Sequence, residues 1–292
     1  PISNWLNSFL KLGEYKRREG RSAISLREHA NAFKKCVSSN PNRFYDFVHE
    51  ISNMADIQDM YKIAGLEGLL AGGVNPYSLW NLSERYISEE FAKANPYTFS
   101  RIVEYYIKEE NEYIDKIMEL CKTLTISPFS EKSSLFTAED GKRDMSRRAT
   151  DMLTKAINSY QGCAAELLVR MCAIPLRRPI VYAFFADNNI LLHEYIKTVP
   201  LHYLNMEDYY DEELYFPLVK SLLSGMGPEA LYLQVNAIQW SFYYRNDVVC
   251  NYIDRIEPDP STHELLVQIY FYGMKGTPIS EECERRLEKI LA

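Results

Sequence analysis

The chain has 292 residues, of which 47% are hydrophobic and 25% are charged, and its formal net charge is −7. This composition supplies a buried core and excludes global disorder, and the negative balance does not favour non-specific binding to nucleic acid. No signal peptide opens the sequence, and no run approaches the ~20 apolar residues that a membrane span needs. Because the chain starts at Pro1, either an initiator Met has been removed or the sequence belongs to something longer.

Apolar residues recur at the helical period along the whole chain, without convincing alternating strand patterns or Asn-Gly hairpin turns. Such periodicity predicts helices with buried faces in four stretches: Leu26–Val37, Phe99–Cys121, Tyr210–Leu222 and Leu231–Phe242. In the third stretch, the acidic run that starts at Glu207 indicates a helix N-terminus, with Tyr210 and Leu214 facing the core. We therefore predict an all-α protein.

Local signals mark where helices begin and end. Asn-Pro occurs at positions 40, 75 and 95, and this pair is typical of a helix start because Asn caps well and Pro loses no hydrogen bond there. Each pair is followed, three residues after the proline, by a bulky apolar residue, which indicates a degenerate repeat: Phe44, Leu79 and Phe99. Short turns and many helices predict stacked helical hairpins, an α-solenoid of the HEAT or TPR kind.

One segment has the composition of a long loop. Residues 127–142 contain Pro128, several serines and Glu139-Asp140-Gly141. The sequence therefore predicts an N-terminal helical half over 1–126, a loop over 127–142, and a C-terminal helical-repeat half over 143–292.

The motifs of the common catalytic and cofactor sites are missing from the sequence. Gly141-Lys142 is the only Gly-Lys pair and lacks the rest of a P-loop, and none of the five histidines forms an H-E-x-x-H metal pair. The six cysteines are scattered without a C-x-x-C, which favours free thiols and a cytoplasmic protein. We predict no cofactor, no metal and no enzymatic activity for this chain alone.

Three segments carry a family resemblance: Asn40–Phe44, Ala64–Leu70 and Ala156–Ala165. They resemble the C-terminal helical region of large bacterial STAND-type, NACHT-like ATPases, which include antiviral sensors. Where that family commonly has Asn-Ser-Val-Arg-Gly, this chain keeps Asn158, Ser159 and Gly162 but has Tyr-Gln in place of Val-Arg. The resemblance implies that an ATPase would lie N-terminal to Pro1 and that this chain is its sensor arm.

The residues of the third segment also have a physical interpretation. A glycine inside a helix costs roughly 1 kcal/mol relative to alanine, so Gly162 predicts a close helix–helix approach. The side chain of Asn158 is expected to bond a carbonyl of a neighbouring turn. We interpret Asn158, Ser159 and Gly162 as structural.

The C-terminal half holds the best candidates for a partner-binding surface, since tyrosine and arginine are frequent among interface hot spots. The residues that we expect to contact a protein partner are Tyr209, Tyr243, Tyr244, Arg177 and Arg178. That partner is either a trigger protein or another domain of the parent chain. Two alternatives stay open, a free-standing HEAT- or TPR-like adaptor and an enzyme with an unrecognised helical site.

Overall fold

The computed structural model describes residues 2–15, 22–129 and 144–242, together with positions 281, 284, 285 and 288. Throughout this part of the chain the regular structure is helical, and it contains no strand. The all-α prediction is confirmed. No helix in the described residues has the length and apolar character needed to cross a membrane.

The chain divides into two compact units, Pro1–Phe91 and Ala92–Ala292. The predicted division at 127–142 instead falls inside the second unit, and positions 130–142 of it lie outside the described residues. Helices on either side of that segment pack directly on each other.

The first unit is built from four main helices and several short turns. Its helices are α1 (Ile2–Tyr15), α2 (Ser22–Ser39), α3 (Pro41–Asn53), α4 (Asp59–Ala71) and the short α5 (Trp80–Ser83), which lies between 3-10 turns at Pro76–Leu79 and Glu84–Tyr86. Helix α4 packs against α2 and α3. Gly68 permits the close approach, since a β-carbon there would lie 2.7 Å from Cβ of Val37 in α2.

Aromatic rings fill the core of the first unit. The ring of Phe9 in α1 stacks on Tyr61 in α4 with centroids 4.1 Å apart, and Phe33 in α2 meets Phe9 edge to face at 4.9 Å. All three side chains are almost completely buried. Large rings contribute much of the buried apolar area that stabilises a helical core.

The second unit begins at Ala92, within the short helix α6 (Glu89–Ala94). Its longer helices are α7 (Pro96–Val103), α8 (Ile114–Thr125), α9 (Met145–Ile157), α10 (Tyr160–Met171), α11 (Arg178–Asp187), α12 (Glu194–Tyr203), α13 (Glu212–Leu223) and α14 (Pro228–Phe242). Alternate helices are neighbours: α8 packs on α10, α10 on α12, and α12 on α14. Helix α11 packs on α13 in the same alternating way, while α9 packs on α10, α12 and α14.

The predicted start signals are largely correct. Asn40 and Asn95 precede α3 and α7, each with proline at the first helical positions, whereas Asn75 begins a 3-10 turn and accepts a hydrogen bond from the amide of Tyr77. The three bulky residues of the repeated pattern are all buried: Phe44, Leu79 and Phe99. Each occurrence of the pattern therefore places one buried side chain near the start of a helix or 3-10 turn.

Two of the four stretches that were predicted to be helices with buried faces differ from the structure. The stretch Phe99–Cys121 forms two helices instead of one, α7 and α8. In the segment between them the Asn111 side chain donates to the Tyr106 and Glu109 carbonyls and accepts from the Tyr113 amide. In α13 the Asp211 side chain caps the helix and Tyr210 is buried as predicted, but Leu214 is 36% exposed.

The predicted buried face of α14 lies mostly outside the described residues. Leu231 is only half-buried, and the side chains of the other predicted positions, Val235, Ile238 and Phe242, lie outside the described residues. Among the described side chains of this helix, those of Ala230, Leu233, Gln234 and Ala237 are buried.

Candidate functional site

Arg178, at the first position of α11, fixes the turn between α12 and α13. Its guanidinium donates hydrogen bonds to three backbone carbonyls: Cys172 at 3.0 Å, Tyr210 at 3.0 Å and Asp208 at 2.8 Å. One turn further along α11, the hydroxyl of Tyr182 donates to the carbonyl of Tyr209 at 3.0 Å. A planar guanidinium can donate several hydrogen bonds at once. Helix α11 therefore restrains the turn between α12 and α13 through hydrogen bonds to its backbone.

The turn presents Tyr209, one of the predicted contact residues. The Tyr209 side chain is half-buried, and burial raises the pKa of its hydroxyl while the nearby Arg170 opposes the shift. Arg170 lies on α10, where it bonds Glu166 at 2.6 Å and approaches Glu104 at 3.6 Å. Tyr209 thus lies within electrostatic range of Arg170, which joins Glu166 on its own helix to Glu104 from a distant part of the sequence.

Helix α12 completes this surface with Tyr203, which is half-buried and lies near both Glu166 and Arg170. We call these five residues the Tyr209 face: Glu104, Glu166, Arg170, Tyr203 and Tyr209. Beside it, the ring of His202 meets Tyr203 edge to face with centroids 4.7 Å apart. Burial lowers the pKa of His202, although the carboxylate of Glu166 partly offsets this.

The chemistry of the Tyr209 face suits recognition. It combines two tyrosines and an arginine, residue types that are enriched at protein interfaces, with two glutamates, a residue type that is depleted at interface centres. Within the described part of the chain, no group of three or more His, Cys, Asp or Glu side chains is arranged to hold a metal ion.

Arg177 has a different set of partners from Arg178. Its guanidinium donates to the carboxylates of Glu110 and Asp115, which raises the pKa of Arg177, and only 11% of its side chain is exposed. These bonds tie the start of α11 to the start of α8. Because both arginines have intramolecular partners, their contact with another protein stays a prediction; Tyr243 and Tyr244 lie outside the described residues.

The predicted structural motif occupies the turn between α9 and α10. Ser159 caps α10, accepting from the amide of Gly162 at 3.0 Å and donating to the carbonyl of Ala156 at 2.7 Å. A β-carbon at Gly162 would collide with the end of α9. Asn158 differs from expectation, because its side-chain oxygen accepts from the hydroxyl of Tyr97 in α7 instead of bonding a carbonyl.

Three cysteines of the second unit behave as small buried hydrophobes, as the sequence suggested: Cys121, Cys163 and Cys172. Burial raises the pKa of each thiol, to about 12 for Cys163 and Cys172. A thiol that does not ionise near neutral pH is a poor nucleophile, so these side chains have no evident catalytic use.

Sequence reasoning missed four residues of the Tyr209 face: Glu104, Glu166, Arg170 and Tyr203. Glu166 and Arg170 do carry a signal, since a carboxylate four residues before an arginine is a common helix-surface pair. Nothing in the local sequence shows that α7, α10, α12 and the turn after α12 converge there.

Comparisons of the chain with family models, with curated proteins and with solved structures found no match.

Proposed function

We propose that this chain is a non-catalytic protein-recognition module, whose partner contacts the Tyr209 face, and that it serves as the sensor or interaction arm of a larger STAND-type signalling ATPase. The alternating packing of α8, α10, α12 and α14 supports an arrangement of stacked hairpins like that of HEAT and TPR proteins. Stacks of this kind offer a continuous side surface to a partner.

The observation that carries the proposal is the set of hydrogen bonds that α11 makes to the backbone around Tyr209. Arg178 and Tyr182 together make three hydrogen bonds to the backbone carbonyls of Asp208, Tyr209 and Tyr210. The turn is thereby held in one conformation before any partner arrives. Preorganisation of this kind improves affinity because less conformational entropy is lost on binding.

Charge on the Tyr209 face would orient the partner. Arg170 lies between Glu104 and Glu166, and its side chain is 42% exposed. Partly exposed charges at an interface contribute more to orientation and association rate than to affinity. Tyr203 and Tyr209 would supply the apolar contact area.

The test is site-specific photocrosslinking in cells that express the full-length protein. A photoreactive residue replaces Glu207, which is exposed on the turn next to Tyr209, and a control carries it at the exposed Lys220 of α13. We expect one defined protein adduct from position 207 that position 220 does not give. Tyr209→Ala should reduce that adduct about tenfold with little change in melting temperature, as for a surface hot spot.

Two results would contradict the recognition role. One is the same adduct from both positions. The other is a loss of several kcal/mol of stability on Tyr209→Ala without a selective loss of the adduct, as for a core residue. The reading frame upstream of Pro1 tests the rest of the proposal, because a Gly-x4-Gly-Lys-Ser/Thr motif there supports the ATPase arm and its absence favours the free-standing adaptor.

A further inference from the structure

His29 on α2 connects the first helix of the chain to the core of the first unit. The ring of Trp5 in α1 lies 5.1 Å from that of His29 between centroids, and Phe9 meets it edge to face at 5.8 Å. The hydroxyl of Ser8 lies 3.0 Å from its Nε2 atom. The other ring nitrogen, Nδ1, lies 3.2 Å from the hydroxyl of Tyr61 in α4. His29 therefore joins α1 to α4 through both of its nitrogens.

The number of hydrogens in this chain of bonds determines how the imidazole is protonated. Tyr61 is fully buried, and among the described residues Nδ1 of His29 is the one hydrogen-bond partner of its hydroxyl. A phenol has a single hydrogen to donate, so that hydrogen is satisfied only if Nδ1 carries none. The neutral imidazole then has its hydrogen on Nε2 and donates it to the oxygen of Ser8.

Protonation of His29 conflicts with this arrangement. An imidazolium carries a hydrogen on both nitrogens, so Nδ1 would face the hydroxyl of Tyr61 as a donor and the phenol hydrogen would lose its acceptor. A buried donor without a partner is unfavourable. Burial of the ring itself also lowers the pKa of His29 below its ordinary value of 6.5. Both effects require α1 in place, because Trp5 and Phe9 cover these groups.

The described surroundings do not stabilise the cation. Burial is the whole cause of the lowered pKa of His29, and no described carboxylate offsets it. The described side chains of α1, at positions 4–10, are uncharged, and α3 reaches the cluster through the ring of Phe47. The titratable or charged groups next to His29 are two exposed neighbours on α2 and three groups on α4: Arg27, Glu28, Tyr61 and the Lys62–Asp59 pair.

Helix α1 is held by a narrow face. Among its described side chains only that of Phe9 is buried, and the next residue, Leu10, is 40% exposed. Helices α2, α3 and α4 pack on one another without the help of α1. A segment with little buried surface can open locally while the rest of a unit stays folded.

We propose that protonation of His29 releases α1 from α2 and α4, while these two helices and α3 stay packed together. Release uncovers the rings of Phe33 and Tyr61, against which Phe9 lies. One proton is taken up, because the uncovered imidazole has its ordinary pKa. The equilibrium constant for docking of α1 is therefore constant above pH 6.5 and falls about tenfold per pH unit between 6.5 and the lowered pKa. This acid-sensitive device is separate from the role of the Tyr209 face.

The test is hydrogen exchange of the full chain from about pH 7.5 to about pH 5, read by mass spectrometry and corrected for the intrinsic exchange rate at each pH. Peptides from α1 report its release, and peptides from α4 report the rest of the first unit. We expect the protection of α1 to fall about tenfold per pH unit below pH 6.5, while that of α4 changes little.

Three variants identify the group responsible. His29→Gln removes the titration, so the protection of α1 should no longer depend on pH in this range. Tyr61→Phe removes the hydroxyl that needs Nδ1 as its acceptor, so the pH range over which protection falls should become narrower. The matched control is His49→Gln: this other histidine of the first unit packs on Tyr45 of its own helix at 4.7 Å, and the variant should behave as wild type.

Equal pH dependence in wild type and His29→Gln would overturn the proposal. Loss of protection in α1 and α4 at the same pH would also overturn it, because the unit would then simply unfold in acid. A direct measurement covers the case in which His29→Gln does not dock α1 at any pH. The imidazole signals of His29 in the wild-type protein, followed by nuclear magnetic resonance, should titrate over the same pH range as the release of α1, and a different range would contradict the proposal.

Discussion

A β-carbon on Gly162, in the first turn of α10, would lie 1.9 Å from the carbonyl oxygen of Ala156 near the end of α9. The same carbonyl accepts a hydrogen bond from the hydroxyl of Ser159. The oxygen of that hydroxyl accepts a hydrogen bond from the amide of Gly162. Glycine is therefore the residue that lets α10 leave the turn directly against the end of α9. The segment 156–162 sets the geometry of both helices.

Gly162→Ala should destabilise the protein. The contact is with backbone atoms, which cannot move aside as a flexible side chain can. Overpacking of this kind costs about 1–3 kcal/mol, which outweighs the benefit of alanine in a helix. The free energy of unfolding, measured by urea denaturation, should fall accordingly. In the control Gly227→Ala the new carbon meets only the end of the Glu229 side chain, so an equal loss in both variants would contradict the explanation.

Ser159→Ala should cost about 1 kcal/mol, the usual effect of removing a helix N-cap. The substitution removes both hydrogen bonds of the buried hydroxyl and leaves the amide of Gly162 without its acceptor. Thermal unfolding followed by circular dichroism measures the effect. The comparison is Ser39→Ala, at an exposed residue whose hydroxyl bonds only a carbonyl of its own helix, and that variant should differ little from wild type.

Much of the fold follows from periodicity. The stripe Leu26, Ala30, Phe33 and Val37 is buried throughout, because residues three and four apart share one face of a helix. Gly162 was identifiable for a similar reason, since a glycine in a helix interior carries a cost that a close contact explains. These are local effects, and local sequence predicts them.

The failures have a common physical cause. The helix that begins at Pro96 ends at Val103, and Asn111 bonds the backbone of the segment that follows, but the apolar spacing gives no sign of this break. Leu214 follows the period but has no neighbour to cover it. The Tyr209 face depends on which helices meet, and only the assembled fold shows that Glu104 approaches Arg170.

His202 should make the stability depend on pH. Burial lowers its pKa below the ordinary value of 6.5, and its Nδ1 atom is buried without a hydrogen-bond partner. The folded protein then binds fewer protons than the unfolded chain, so this contribution is fully present above pH 6.5 and is lost as the pH falls towards the lowered value. Urea midpoints at about pH 7.5 and about pH 5.5 should differ less in His202→Gln than in wild type. An unchanged difference would show that His202 does not titrate in this range.

Arg178→Lys should loosen the turn that carries Tyr209. An ammonium group cannot reproduce the planar fork that bonds the carbonyls of Cys172, Asp208 and Tyr210 at once. The amides of Tyr209 and Tyr210, which both bond the carbonyl of Met206 at 2.9 Å, report the state of the turn. Their hydrogen exchange should accelerate about tenfold or more, given the ~1.5–3 kcal/mol that a hydrogen bond to a charged group contributes. Arg170→Lys is the matched control, because Arg170 pairs with the side chains of Glu104 and Glu166 and leaves the turn's carbonyls alone. Equal exchange in the two variants would show that Arg178 does not hold the turn, and the preorganisation of the Tyr209 face would then need another source.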